Sequence, residues 1–241
     1  MQDVLVHRLP KEIAPAELAG STVVVIDLLR ASSTICQALS AGATEVVPFL
    51  EIEDALAAAE RDRKNVVLGG ERGGKRIDGF DLGNSPSEYT QPSVGGRRFF
   101  LTTTNGTRAL DHARQARRVV VGSFLNLSAV VASIRDEPRV DILCAGTNGR
   151  ESREDILAAG AMVERLVTRD RSAWKLNDAA EAALAEWNKR GHVLAVELRS
   201  TPGGRNLLAI GMDHDLVDCA CVDALAIVPE LDIPAWRITL P

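Results

Sequence analysis

The chain has 241 residues, 46% hydrophobic and 25% charged, enough apolar material for an α/β core and too much for long disorder. A net charge of −5 and an aromatic content of 4% exclude a nucleic-acid surface of basic blocks and stacking rings. No run of about 20 apolar residues occurs, so no membrane partner is expected.

The N-terminal MQDVLVHRLP mixes acid and base without a long apolar stretch, unlike a secretory leader, and a cytoplasmic location is expected. The four cysteines, Cys36, Cys144, Cys219 and Cys221, lack metal-type spacing and read as small hydrophobes of a reducing compartment.

Short β-branched or apolar runs predict strands at 22–26, 44–48, 65–68, 98–102, 118–121, 141–145 and 223–228. Helical patterns lie between them at 52–61, 126–135 and 156–168. The alternation predicts a single α/β domain over 1–241, a three-layer sheet covered by helices on both faces. Two loosely duplicated halves, or subdomains sharing one site, are the open alternative. Region 69–89 has no helical or strand period and reads as a functional loop. Region 174–211 reads as a helical excursion, broken at Pro202-Gly203-Gly204. In such sheets ligands gather beyond the carboxyl ends of strands.

The first such end is VVVIDLLRASSTICQAL. A buried strand ends at Asp27, and Arg30, Ser32, Ser33 and Thr34 precede a helix. The carboxylate suits a metal, and the hydroxyls and free N–H groups suit an anion. Alternatively, Asp27 caps a turn and Ser32 or Ser33 caps the helix. Leu29 stands where an Asp-x-Asp phosphatase signature needs its second acid, so that aspartyl-phosphate scheme is unsupported.

Residues 69–75 read G-x-x-x-x-G-K, but Arg76 replaces the hydroxyl that holds Mg²⁺, and no helix pattern follows. A nucleotide-binding P-loop is therefore excluded. In the same region Glu71, Asp78 and Asp81 stand beside Arg72, Lys75 and Arg76, a mixture that suits a hard cation or a solvated loop. Asn84-Ser85 precedes Pro86, where a short helix can start.

The segment LTTTNGTRAL offers Thr102, Thr103, Thr104, the Asn105-Gly106 turn, Thr107 and Arg108. Hydroxyls, turn N–H groups and an arginine make an oxyanion receptor, although Asn-Gly also serves as a plain turn. A second Thr-Asn-Gly, Thr147-Asn148-Gly149, leads to Arg150, Glu151, Glu154 and Asp155. These acids suit a helix start or the far wall of the same site. One site requires both turns at one sheet edge. The four histidines show no zinc spacing.

Four strings, VVVIDLLRASSTICQAL, GGERGGKRIDGFDLGNSPSEY, LTTTNGTRAL and CAGTNGRESREDILAAGAMVERL, resemble the 2-phosphosulfolactate phosphatase family, in order and over nearly the whole chain. The later SxxGGRNLLAIG and DxxxCA segments are similar too, whereas 174–190 matches no family string. The resemblance implies a Mg²⁺-dependent phosphomonoesterase that hydrolyses 2-phospho-3-sulfolactate to sulfolactate and phosphate, in some organisms on a route to coenzyme M. It also implies an α/β fold distinct from the common phosphatase superfamilies.

On the matched positions, chemistry selects Asp27, Asn105 and Arg108 for catalysis. Asp27, Glu71 and Asp81 are selected for Mg²⁺. Arg30, Ser32, Arg72, Asn84, Thr103, Thr104, Gly106 and Arg150 are selected for a small anionic phosphoester. The rivals are another phosphorylated hydroxy acid as substrate, or a non-catalytic binder of a phosphorylated or sulfonated metabolite. A homodimer is left open.

Overall fold

The structure is a computed structural model that describes residues 1–168 and 170–241. In chain order its elements are β1 (Gln2–His7), β2 (Thr22–Ile26), α1 (Ala31–Ser40), β3 (Glu45–Phe49), α2 (Ile52–Glu60), β4 (Val66–Arg72) and β5 (Lys75–Arg76). Then come α3 (Gln91–Val94), β6 (Arg98–Thr102), α4 (Gly106–His112), β7 (Arg118–Val121), α5 (Leu127–Ile134), β8 (Arg139–Cys144) and α6 (Arg153–Val167). The chain ends with β9 (Trp174–Leu176), α7 (Asp178–Arg190), α8 (Leu194–Ser200), α9 (Pro202–Ala209), α10 (His214–Cys219), β10 (Glu230–Asp232) and β11 (Arg237–Thr239).

The strands form an 11-stranded mixed sheet in the order β5-β4-β6-β3-β11-β10-β7-β2-β8-β1-β9. Two parallel blocks, β4-β6-β3 and β7-β2-β8-β1-β9, meet at the antiparallel hairpin β10–β11. Each block carries one of the Thr-Asn-Gly turns, after β6 and after β8.

β2 shows why the strands are apolar on both sides. All five of its residues are buried. Val24 and Ile26 pack into the core beneath α5, α6 and α7, while Val23 and Val25 pack into the core with α1 and α4. Alternate side chains thus leave a strand on opposite faces, and both faces are covered by helices. A third core holds α2 against β4 and Phe100 of β6. Among the described residues no helix is long and apolar enough to cross a membrane.

Three expectations need correction. Residues 223–228 are not a strand. Leu225 and Asp223 donate their N–H groups to Leu125 and Phe124 carbonyls in the loop after β7, and Asp223, Ala224 and Ala226 face solvent. The chain returns to the sheet only past Pro229, which has no N–H to give a ladder. Region 69–89 is not wholly a loop. β4 runs on to Arg72 and turns through Gly73 and Gly74, both at positive φ, into β5. The P-loop look-alike is therefore a strand and a hairpin turn. Its glycines hide the strand period because Gly70, at φ +147, passes so close to β6 that a Cβ would lie 2.0 Å from the Thr102 carbonyl oxygen. The excursion at 174–211 opens with a strand, β9, on β1, before the predicted helices. Sequence reasoning also missed β1.

Candidate active site

The carboxyl ends of β2, β4, β6 and β8 open onto a cavity of about 370 Å³, and each end delivers a motif residue. Asp27 follows β2. Its N–H donates to the Ser32 hydroxyl at 2.8 Å, and its carbonyl accepts the Ser32 N–H at 2.8 Å. Ser32 thus fixes the strand-to-helix turn. Glu71 sits on β4, its Oε1 accepting the Thr104 N–H and its Oε2 the Gly74 N–H, both at 2.8 Å. Both carboxylates line the cavity and are at least nine-tenths buried.

The two Thr-Asn-Gly turns touch, although β6 and β8 belong to blocks that run antiparallel to each other across the β10–β11 hairpin. The Asn148 N–H donates to Asn105 Oδ1 at 3.0 Å. Thr104, Asn105, Thr147 and Asn148 form one continuous wall of the cavity. Asn148 adopts φ +52 to make the contact, a conformation Asn tolerates better than most residues.

Burial first, and the Glu71 charge second, push Asp27 up to about 7. Asp155 is held well above the usual carboxylate range by burial and then by the charges of Asp27 and Glu154, and burial raises Glu154 as well. Asp155 accepts the Leu28 N–H at 2.8 Å and the Gly146 N–H at 3.0 Å, tying the end of β2 to the end of β8. It positions Asp27 rather than facing the cavity. Such a cluster of buried like charges calls for protons or a cation.

The fit to Mg²⁺ rests on the oxygen atoms present. Asn84 Oδ1 and Thr104 Oγ1, from two cavity-lining residues, are buried without a hydrogen-bond partner. Among the described residues no three Asp, Glu, His or Cys side chains form a ready-made metal nest. The donors therefore fit a hard cation that takes one or two carboxylates and completes its shell with water and substrate oxygens.

Arg30 is 3% exposed and lines the cavity. It donates to Asp215 Oδ2 at 2.6 Å and to the Gly74 carbonyl at 2.7 Å. Asp215, on α10, also accepts the Ser85 hydroxyl. Helix α10, just beyond the helical excursion, thus anchors the site, and α9 within the excursion supplies Gly203 and Asn206 to the cavity wall. None of these three residues had been selected from the sequence. The segment SxxGGRNLLAIG was the signal for Gly203 and Asn206, but its one charged residue, Arg205, is exposed and does not line the cavity.

Other expected site residues are placed elsewhere. Asp81 binds the Arg63 side chain and accepts the Leu68 N–H at 2.8 Å, so it braces β4 and does not line the cavity. Arg72 donates to the Glu71 and Leu50 carbonyls, again outside the cavity. Arg150 is exposed, its backbone paired with Thr147. Thr103 accepts the Thr107 N–H within the first turn of α4. Arg108 is exposed and lines an adjoining cleft.

Gly106 starts α4 with no room for a side chain. A Cβ there would stand 2.8 Å from Asp27 Oδ2 and 2.6 Å from the Ala31 Cβ. Gly106→Ala should therefore shift the carboxylate and lower kcat/KM by roughly 100-fold, since an ångström of misplacement costs about that much. Steady-state kinetics on the variant check this, and unchanged kinetics would show that Asp27 tolerates displacement.

Residues 7–233 match the family model described as 2-phosphosulpholactate phosphatase. A protein of Symbiobacterium thermophilum named "Probable 2-phosphosulfolactate phosphatase" is 44% identical over 220 residues, covering 90% of this chain and 94% of the relative. Likewise named proteins of Thermotoga maritima and Parasynechococcus marenigrum are each 40% identical, over 87% and 96% of this chain and 88% and 97% of their own lengths.

Proposed function

The chain belongs to the 2-phosphosulfolactate phosphatase family, and from that premise we propose that the Asp27 cavity hydrolyses the phosphate monoester of 2-phospho-3-sulfolactate. The observation that carries this reading is the pairing of Asp27 and Glu71. Two carboxylates from different strands face one cavity beside a buried arginine.

Asp27 takes the proton of the attacking water. A carboxyl poised at about 7 is matched to proton transfer near neutral pH. Attack forms a new bond from the water oxygen to phosphorus and breaks the bond to the substrate's C2 oxygen, which takes up a proton from solvent, leaving sulfolactate and phosphate. The cavity-facing guanidinium of Arg30, the Thr104 hydroxyl and the Asn105 side chain hold the phosphate and orient it for in-line attack. Mg²⁺, held by Glu71 and Asn84 Oδ1 beside Asp27, would supply charge neutralisation to the phosphate oxygens. Arg30 is already balanced by Asp215, so the side chains alone leave the site short of positive charge for a polyanion.

Phosphate release from 2-phosphosulfolactate, 2-phospholactate and 2-phosphoglycerate, each with Mg²⁺, tests the substrate. The expected result is the highest kcat/KM for 2-phosphosulfolactate. A higher value for either analogue would assign the site to another phosphorylated hydroxy acid.

A further inference from the structure

A second cleft, of about 310 Å³, adjoins the first and shares Thr104, Asn105 and Asn148 with it. Its charge is opposite in character. Lys11, Arg108 and His112 line it, and no carboxylate does. Among the described residues Arg108 has no ion-pair partner, whereas the neighbouring acids are engaged: Asp111 with Arg114 and Glu151 with Arg8. Lys11 reaches only the Gly149 carbonyl, at 3.3 Å. His112 donates its Nε2 hydrogen to the Ile13 carbonyl at 2.8 Å, which fixes the ring against the cleft floor.

We propose that this cleft, with Arg108 as its principal cation, is the sulfonate subsite; the inference rests on the functional reading above. The substrate carries its carboxylate, phosphate and sulfonate on three successive carbons, so the sulfonate must occupy a space next to that of the phosphate. The cavity that holds Asp27 and Glu71 repels an anion that no cation screens. The cleft beyond Asn105 attracts one. A sulfonate stays ionised at any physiological pH and presents three weakly basic oxygens. It gains most from unpaired, solvent-reachable cations such as Arg108 and Lys11, since burial would cost both partners their hydration. Asn105 and Asn148 then form the divide that the substrate straddles. This moves Arg108 from the reacting phosphate to the recognition of the distal anion.

The test compares Arg108→Ala with the unaltered enzyme on 2-phosphosulfolactate and on 2-phospholactate, which lacks only the sulfonate. Loss of one charge-assisted contact should raise KM for 2-phosphosulfolactate about 10- to 100-fold. The effect should fall on KM rather than kcat and be at least about tenfold smaller for 2-phospholactate. Equal changes on the two substrates, a loss confined to kcat, or no change would overturn the sulfonate assignment while leaving the phosphatase reading standing. If the unaltered enzyme releases no phosphate from 2-phosphosulfolactate, the functional reading fails and the subsite falls with it.

Discussion

Asp27→Asn should lower turnover by about 10²- to 10⁴-fold, the range that removal of a general base produces, while leaving the fold intact. Asparagine keeps the shape of the side chain and cannot take a proton from water. The same substitution has a stability signature. Asp27 holds its proton to about 7 in the folded chain, against 3.8 for an ordinary aspartate. Its contribution to stability is therefore complete below pH 3.8, declines as pH rises, and is lost once pH passes about 7. Asparagine is neutral throughout and escapes that loss. In chelator, the variant should be the more stable at pH 8, by at most about 4 kcal/mol, and so melt higher, and the two should converge toward pH 4. Thermal melts across that range check the sign. A variant that melts lower at pH 8 would show that the native carboxylate carries no ionisation penalty, and near-normal turnover would remove Asp27 from the chemistry.

Asp215→Ala should be the most destabilising single change near the site. It strips the partner from Arg30, and both side chains are almost wholly buried, at 3% and 0% exposure. Breaking a buried pair from one side costs about 3–5 kcal/mol, because the remaining charge has lost its compensation. For a chain of this length that corresponds to a fall in melting temperature of roughly 6–20 °C. The Ser85 hydroxyl loses one of its partners at the same time and keeps His214 and Ser87, so the hold of α10 on the loop before α3 should weaken. A melting temperature within about 2 °C of the unaltered protein would show that water reaches Arg30 and that the pair is not a structural bolt.

The strand-end chemistry was legible because backbone rules dictate it. Asp27 lies where a β-branched run stops, and Thr-Asn-Gly recurs where β6 and β8 stop. The meeting of the two turns does not follow from strand direction, since β6 and β8 lie in blocks that run opposite ways across the β10–β11 hairpin; it rests on the Asn148–Asn105 contact. Asp81 misled because a glycine-rich, charged segment gives no clue to which acids turn inward. Its backbone contact to Leu68 and its side-chain contact to Arg63 depend on a β4–β5 hairpin that has no hydrophobic period. Asp215 was missed for the reason that made it important. It meets Arg30 across 185 residues of sequence, and although Asp215 opens the DxxxCA segment, nothing local to it names a partner. The stretch 223–228 was read as a strand from its apolar residues alone. It lies over the loop after β7 instead, and the two blocks of the sheet are joined by the less obvious β10–β11 hairpin.

Phosphate release from 2-phosphosulfolactate, followed as Mg²⁺ is titrated in and then removed with chelator, is the most direct test that this cavity is a phosphatase site. Release that rises with Mg²⁺ and stops with chelator is the expected result. Thermal stabilisation by 2-phosphosulfolactate with no phosphate released at any Mg²⁺ concentration would contradict it, and would make the Asp27 cavity a binding site without catalysis.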